Sequence, residues 1–89
     1  MPRYEFDWDD VNVGHIAEHG LEPEDVEEVF TRRHVVLRGR RGRHLAYGRT
    51  EAGRHIVVVF ERSPARSVRA ITARDMTRNE RRRFGHLLA

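Results

Sequence analysis

The chain contains neither cysteine nor lysine. Without cysteine there is no disulfide framework and no thiolate zinc site, and the composition suits a reducing compartment. No apolar run approaches the roughly 20 residues of a membrane span. The longest, Ile56 to Phe60, is strand-sized. Residues 1–10 lack the apolar stretch of a secretory leader, so a cytoplasmic location without membrane contact is the expectation. The 89 residues, of which 38% are hydrophobic, allow one domain with a thin core. A thin core leaves room for a partner that stabilises the fold by binding it. The absence of lysine makes every permanently cationic side chain an arginine. Its rigid five-donor fork suits phosphate and carboxylate, although an arginine-rich codon bias would give the same count.

The net charge of +3 conceals a polarity. Residues 1–31 carry one arginine and ten acids, a balance of −9, whereas residues 32–89 carry sixteen arginines and four acids, a balance of +12. A basic body with an acidic end that avoids phosphate is the electrostatic footprint of a nucleic-acid binder. An acidic protein partner is the competing explanation.

Tyr4, Phe6 and Trp8 alternate with acids, predicting a short half-buried strand. Asp9-Asp10 offers an N-cap for a first helix with Val11 and Ile16 at helical spacing, and Gly20 ends it in the left-handed conformation. Pro23 suits the first position of a second helix. Leu21 and Val26 occupy its staple positions, and Val26, Val29 and Phe30 form its apolar stripe. Four strands follow, at His34 to Leu37, Arg43 to Thr50, Arg54 to Arg62 and Ser67 to about Ala73, joined by short turns that favour an antiparallel meander. One of these turns is Ser63 to Arg66. The third strand is apolar on both faces and is expected at the centre, covered on both sides. Thr77-Arg78-Asn79-Glu80 is a capping-box pattern for a last helix, in which Phe84, Leu87 and Leu88 share a face. The expected class is α+β: a short N-terminal strand, two helices, a four-stranded antiparallel sheet and a C-terminal helix, in one domain over residues 1–89.

Few groups suit chemistry near neutral pH. His15 and His19 are four apart, but no third metal ligand is evident. His19, just before Gly20, sits where a helix dipole favours its charged form, in a clamp or a cap. Arg69 and Arg74 are five apart and fall on opposite faces of a regular strand; a bend near Ala73 would re-aim Arg74 toward the last helix. Glu80 would then meet Arg74 or Arg81 in a charge-assisted pair. Arg38, Arg40, Arg41 and Arg43 surround two glycines, a loop suited to phosphate and equally to an acidic partner. It is no P-loop. Tyr47 and Trp8 can stack on bases or fill the core. Metal-free cleavage of RNA is chemically feasible, since RNA supplies its own 2′-hydroxyl nucleophile and needs no cofactor. His19 and Glu80 are the candidate bases.

At these residues the chain resembles the BrnT-like toxin family, a branch of the RelE-like ribonuclease fold. An F-x-W-D opening stands at Phe6 to Asp9, followed by Asn12 and the His19-Gly20 element. An R-x-x-x-x-G element runs from Arg43 to Gly48, R-x-I-[ST]-A-R from Arg69 to Arg74, and E-R is Glu80-Arg81. The resemblance covers residues 4 to 84. It implies a metal-independent endoribonuclease toxin of a type II toxin–antitoxin system. It further implies inhibition of translation through mRNA, a BrnA-like DNA-binding antitoxin, and indirect contact with DNA through that complex. It implies a functional surface containing His19, Arg43, Arg74, Glu80 and Arg81; from the residues themselves, Arg38, Arg40, Arg41 and Arg69 are expected to contact RNA. The chain departs from the family pattern at Val11, where lysine is common, at Glu18, where a basic residue is common, and at Phe84, where tyrosine is common. A non-catalytic partner retained for complex formation and operon autoregulation is the alternative.

Overall fold

A computed structural model describes residues 4–63 and 67–88. Strand β1 (Glu5–Phe6) leads into helix α1 (Asp10–Ala17), then helix α2 (Pro23–Thr31). Strands β2 (Val35–Arg38), β3 (Arg43–Arg49), β4 (His55–Ser63) and β5 (Ser67–Asp75) form the meander. Helix α3 (Arg78–Phe84) tightens into a 3₁₀ turn at Gly85–Leu88. The sheet order is β1-β5-β4-β3-β2, with the meander antiparallel and β1 parallel to β5. The α+β class holds, and β1 joins the sheet as a fifth strand. The turn expected at residues 63–66 falls largely on 64–66, outside the described residues.

Local chemistry explains the helix ends. Asp9 caps α1 by accepting from the N–H groups of Val11 and Asn12, while the Asn12 side chain accepts from the Asp9 N–H. Asn12 is buried, and its amide donates to the carbonyls of Asp7 (2.8 Å) and Ala70 (2.9 Å), pinning α1 to both β1 and β5. Val11, expected on the apolar face, is instead exposed; Asn12 and Ile16 face inward. Gly20 adopts φ +69, as a helix-ending glycine does. Pro23 opens α2, and Thr77 with Glu80 caps α3 reciprocally. The shift from α to 3₁₀ after Phe84 changes the residue spacing, so Phe84 and Leu88 are buried while Leu87 turns outward.

Strand β4 is central and apolar on both faces, as its composition required. Ile56, Val58 and Phe60 join Ile16, Val26, Val29 and Phe30 beneath α1 and α2. The Phe60 ring meets that of Phe30 edge-on at 5.1 Å. Val57 points the other way, into a smaller cluster with Tyr47 and Phe84 beneath α3. Helix α2 crosses β3 so closely that a Cβ on Gly48 would lie 2.5 Å from a Val29 methyl. Charge segregates accordingly. The acids of α1 and α2 lie on one side of the sheet, whereas Arg43, Arg49, Arg74 and α3 lie on the other. The polarity read along the chain is therefore partly a polarity across the sheet, although Arg54 reaches the end of α1 and Arg62 lies over the Phe60 ring.

Candidate functional site

Strand β5 contains the irregularity that builds the site. Its pairing with β4 slips between Val59 and Phe60: Val59 opposes Thr72, but Phe60 opposes Ala70, leaving Ile71 as a bulge. Ala70 and Ala73 consequently both face the larger core, three residues apart. Arg69 and Arg74 then share the opposite face, although five residues in a regular strand would have separated them. The re-aiming occurs at Ile71, not near Ala73. The Ile71 carbonyl lies 3.2 Å from His15 Nδ1.

Arg74 reaches from β5 to α3. Its two terminal nitrogens donate to the two carboxylate oxygens of Glu80, at 2.7 and 3.0 Å, and one also donates to the Asp75 carbonyl. Glu80 further accepts from the Thr77 N–H at 2.8 Å. With the Arg74 guanidinium as the largest influence, the Glu80 carboxyl is held down at about 2, so it is ionised throughout the physiological range. A fork-to-fork pair of this kind fixes the guanidinium plane as well as its charge.

Tyr47 stacks on Phe84 with ring centroids 4.1 Å apart. Burial, reinforced by the Glu80 charge, raises its phenol above the usual value and keeps it protonated. The register places Tyr47, Val57 and Arg74 in one row across β3, β4 and β5, and Arg49 opposite His55 in the next row. Burial, with Arg81 and Arg49 nearby, lowers the His55 imidazole below its ordinary value, so it is neutral near pH 7. The guanidinium of Arg83 lies 4.9 Å from the centre of the Phe84 ring. Tyr47, Arg49 and His55 were not singled out for catalysis from sequence. The tight turn at Glu51-Ala52-Gly53 is the signal that places Arg49 opposite His55.

The other candidates lie in three further places. Arg43 is on the same face but at the far end of β3, 3.4 Å from Glu61. It borders a hollow of about 640 Å³ formed by Arg38, Gly39, Arg40 and Arg41, with Leu45 and Val59 as an apolar floor. The hairpin tip at Arg41-Gly42 has φ values of 58 and 73, which is the sign pattern of a type I′ turn. Arg69 is committed to the N-terminal acids, 3.4 Å from Asp7 and 2.8 Å from Asp9. His19 stands at the end of α1 on the acidic side of the sheet. Its carbonyl and that of Gly20 accept from Arg54, which also pairs with Asp75. The structure thus joins Arg74 to Glu80, with Arg81 next on α3, and sets His19 and Arg43 apart from them. Trp8 donates to Glu27 at 2.8 Å and packs on the larger core. No helix among the described residues is long and apolar enough to cross a membrane.

Comparison with known proteins agrees with this architecture. The structure superposes on the 1.1 Å crystal structure of the Brucella abortus ribonuclease toxin BrnT with a TM-score of 0.66 at 22% identity, covering 84% of this chain and 96% of that one. At that identity the likeness establishes the fold. No curated protein sequence matches. The model of the ribonuclease toxin BrnT of type II toxin–antitoxin systems matches residues 8–80, a stretch that runs from Trp8 through the capped start of α3 and includes both Arg74 and Glu80. The chain belongs to the BrnT toxin family.

Proposed function

We propose that this protein is a metal-independent endoribonuclease toxin that cleaves mRNA by attack of the 2′-hydroxyl and is neutralised by a BrnA-like DNA-binding antitoxin. The observation that carries this reading is the Arg74–Glu80 pair on an arginine-lined sheet face. In-line attack by the 2′-oxygen, its proton passing to water, gives a pentavalent phosphorane. This collapses to a 2′,3′-cyclic phosphate as the P–O5′ bond breaks and the 5′-oxygen takes a proton from water; fixed guanidiniums, without reorganising, stabilise the negative charge that builds up. Arg74 supplies the positive charge at the reacting phosphate, and Arg81 on α3 extends the cationic surface beyond it. Glu80 is a positioning residue, because a carboxyl held at about 2 is too weak a base to accept a proton effectively near pH 7. Arg43 and the hairpin arginines Arg38, Arg40 and Arg41 guide the strand toward it. From Arg43 to Arg49 the face extends about 20 Å, room for a short single-stranded segment. His19 keeps a helix-end role, and Arg69 anchors the N-terminal segment. An acidic antitoxin segment laid over this face would inhibit by occlusion.

The test uses partner-free protein and single-stranded RNA in EDTA, with mapping of product ends. Cyclic-phosphate or 3′-phosphate ends, lost in Arg74→Ala, are expected. No cleavage above the Arg74→Ala control would overturn the reading, and tight RNA binding without cleavage would assign the chain to the non-catalytic alternative.

A further inference from the structure

Two guanidiniums and one imidazole gather where β3, β4 and α3 converge. Arg49 and His55 are directly opposed across the β3–β4 pair, on the face covered by α3. Arg81 follows Glu80 on α3, and that helix is tied to the sheet through the Arg74–Glu80 pair. Arg74, Arg54, Arg43 and Arg69 each have a carboxylate within 4 Å, but among the described residues Arg49 and Arg81 have none. Among the described residues, Arg49 Nε is buried with no hydrogen-bond partner. An unpaired guanidinium N–H taken out of water is costly, so an acceptor that meets Arg49 as its side chain shifts is favoured. Arg49 and Arg81 both act on the His55 imidazole. The Met76 N–H, which brings no charge, donates to the His55 carbonyl at 3.0 Å, and the Gly53 backbone hydrogen-bonds the imidazole.

We propose that Arg49, His55 and Arg81 form a subsite for one phosphate group of an RNA backbone, adjoining Arg74. The identity of the ligand as RNA rests on the ribonuclease reading; the anion chemistry does not. Two forks and an imidazole offer donors to several oxygens of one phosphate. The anion also offsets the charge of the two guanidiniums, so His55 takes up a proton when the site fills. This is a binding step: no covalent bond changes.

The experiment follows the His55 ring by ¹H–¹⁵N NMR during titration with inorganic phosphate, and separately with a short DNA oligonucleotide that has no 2′-hydroxyl to attack. Both ligands are expected to raise the pH midpoint of His55 by about one pH unit, with the oligonucleotide acting at lower concentration. Arg49→Gln should weaken phosphate binding by at least about tenfold. Arg81→Gln, at an exposed helix position, should do the same without threatening the fold. A His55 midpoint unmoved by either ligand, or unchanged affinity in both variants, overturns the subsite. Response to inorganic phosphate but not to the oligonucleotide overturns the backbone assignment. Phosphate binding that depends on Arg49, in a protein that does not cut RNA, upholds the subsite and refutes the ribonuclease reading, so the two failures are distinguishable.

Discussion

Replacing Glu80 by glutamine isolates the charge of one carboxylate. Glutamine keeps an oxygen for the Thr77 N–H and keeps the side-chain length, but presents Arg74 with a neutral amide. In the folded protein the Glu80 carboxyl falls from its usual 4.5 to about 2. Fully realised, that difference corresponds to roughly 3 kcal/mol of stability. Arg74 is 41% exposed and Glu80 20% exposed, so solvent screening reduces the expected contribution to about 1–2 kcal/mol. The sign follows from the depressed folded value: the contribution is complete above the unfolded value of about 4.5 and is lost as pH falls toward 2. Urea unfolding of both proteins at pH 7 and at steps down to pH 3 measures it. The gap should be about 1–2 kcal/mol at pH 7, or about 4–8 °C in Tm for each kcal/mol, and should narrow steadily below pH 4.5. A gap that stays constant across that range would refute an ionic origin and leave Glu80 as a neutral capping residue.

Other substitutions test the frame around the site. Gly48→Ala should cost about 1–3 kcal/mol by urea unfolding, since its Cβ meets Val29 at 2.5 Å. Val29→Ala in the same chain should recover part of that loss. Asn12→Ala should cost about 2–3 kcal/mol, because it strands the Asp7 and Ala70 carbonyls. Arg41→Asn should raise stability by about 0.5–1 kcal/mol, since φ 58 is easier for asparagine than for arginine. If Arg41 serves RNA, the same change should weaken RNA binding in a filter assay while Tm rises.

Local signals in the sequence made much of this fold legible. The N-cap at Asp9-Asp10 and the capping box Thr77–Glu80 mark helix starts because a side chain there satisfies the free backbone N–H groups of the first turn. The double-sided apolarity of Ile56 to Phe60 placed β4 at the centre for an equally direct reason. The β5 bulge was not legible, since an extra residue at Ile71 exists only relative to the register of a neighbouring strand. That one residue decides which face Arg69 and Arg74 share. The five proposed site residues also scatter for a geometric reason: His19 lies near the Arg74 end of β5 but on the other side of the sheet, and no linear pattern reports the side. Val11 reads as apolar core in one dimension, yet Asn12 takes the inward position because it alone can satisfy two carbonyls there.

The parallel pairing of β1 with β5 carries a consequence for how the chain reaches its native state. The meander can zip up through neighbouring hairpins, each closing a short loop. Strand β1 has no partner until β5 exists, and the Asn12 amide that latches both strands spans 58 residues to Ala70. Contacts this distant in sequence form late, because the entropy of closing the loop precedes the reward. The N-terminal strand and α1 therefore behave as a clasp fastened after the sheet is assembled. Asn12→Ala should chiefly speed unfolding and leave the refolding limb of a chevron almost unchanged.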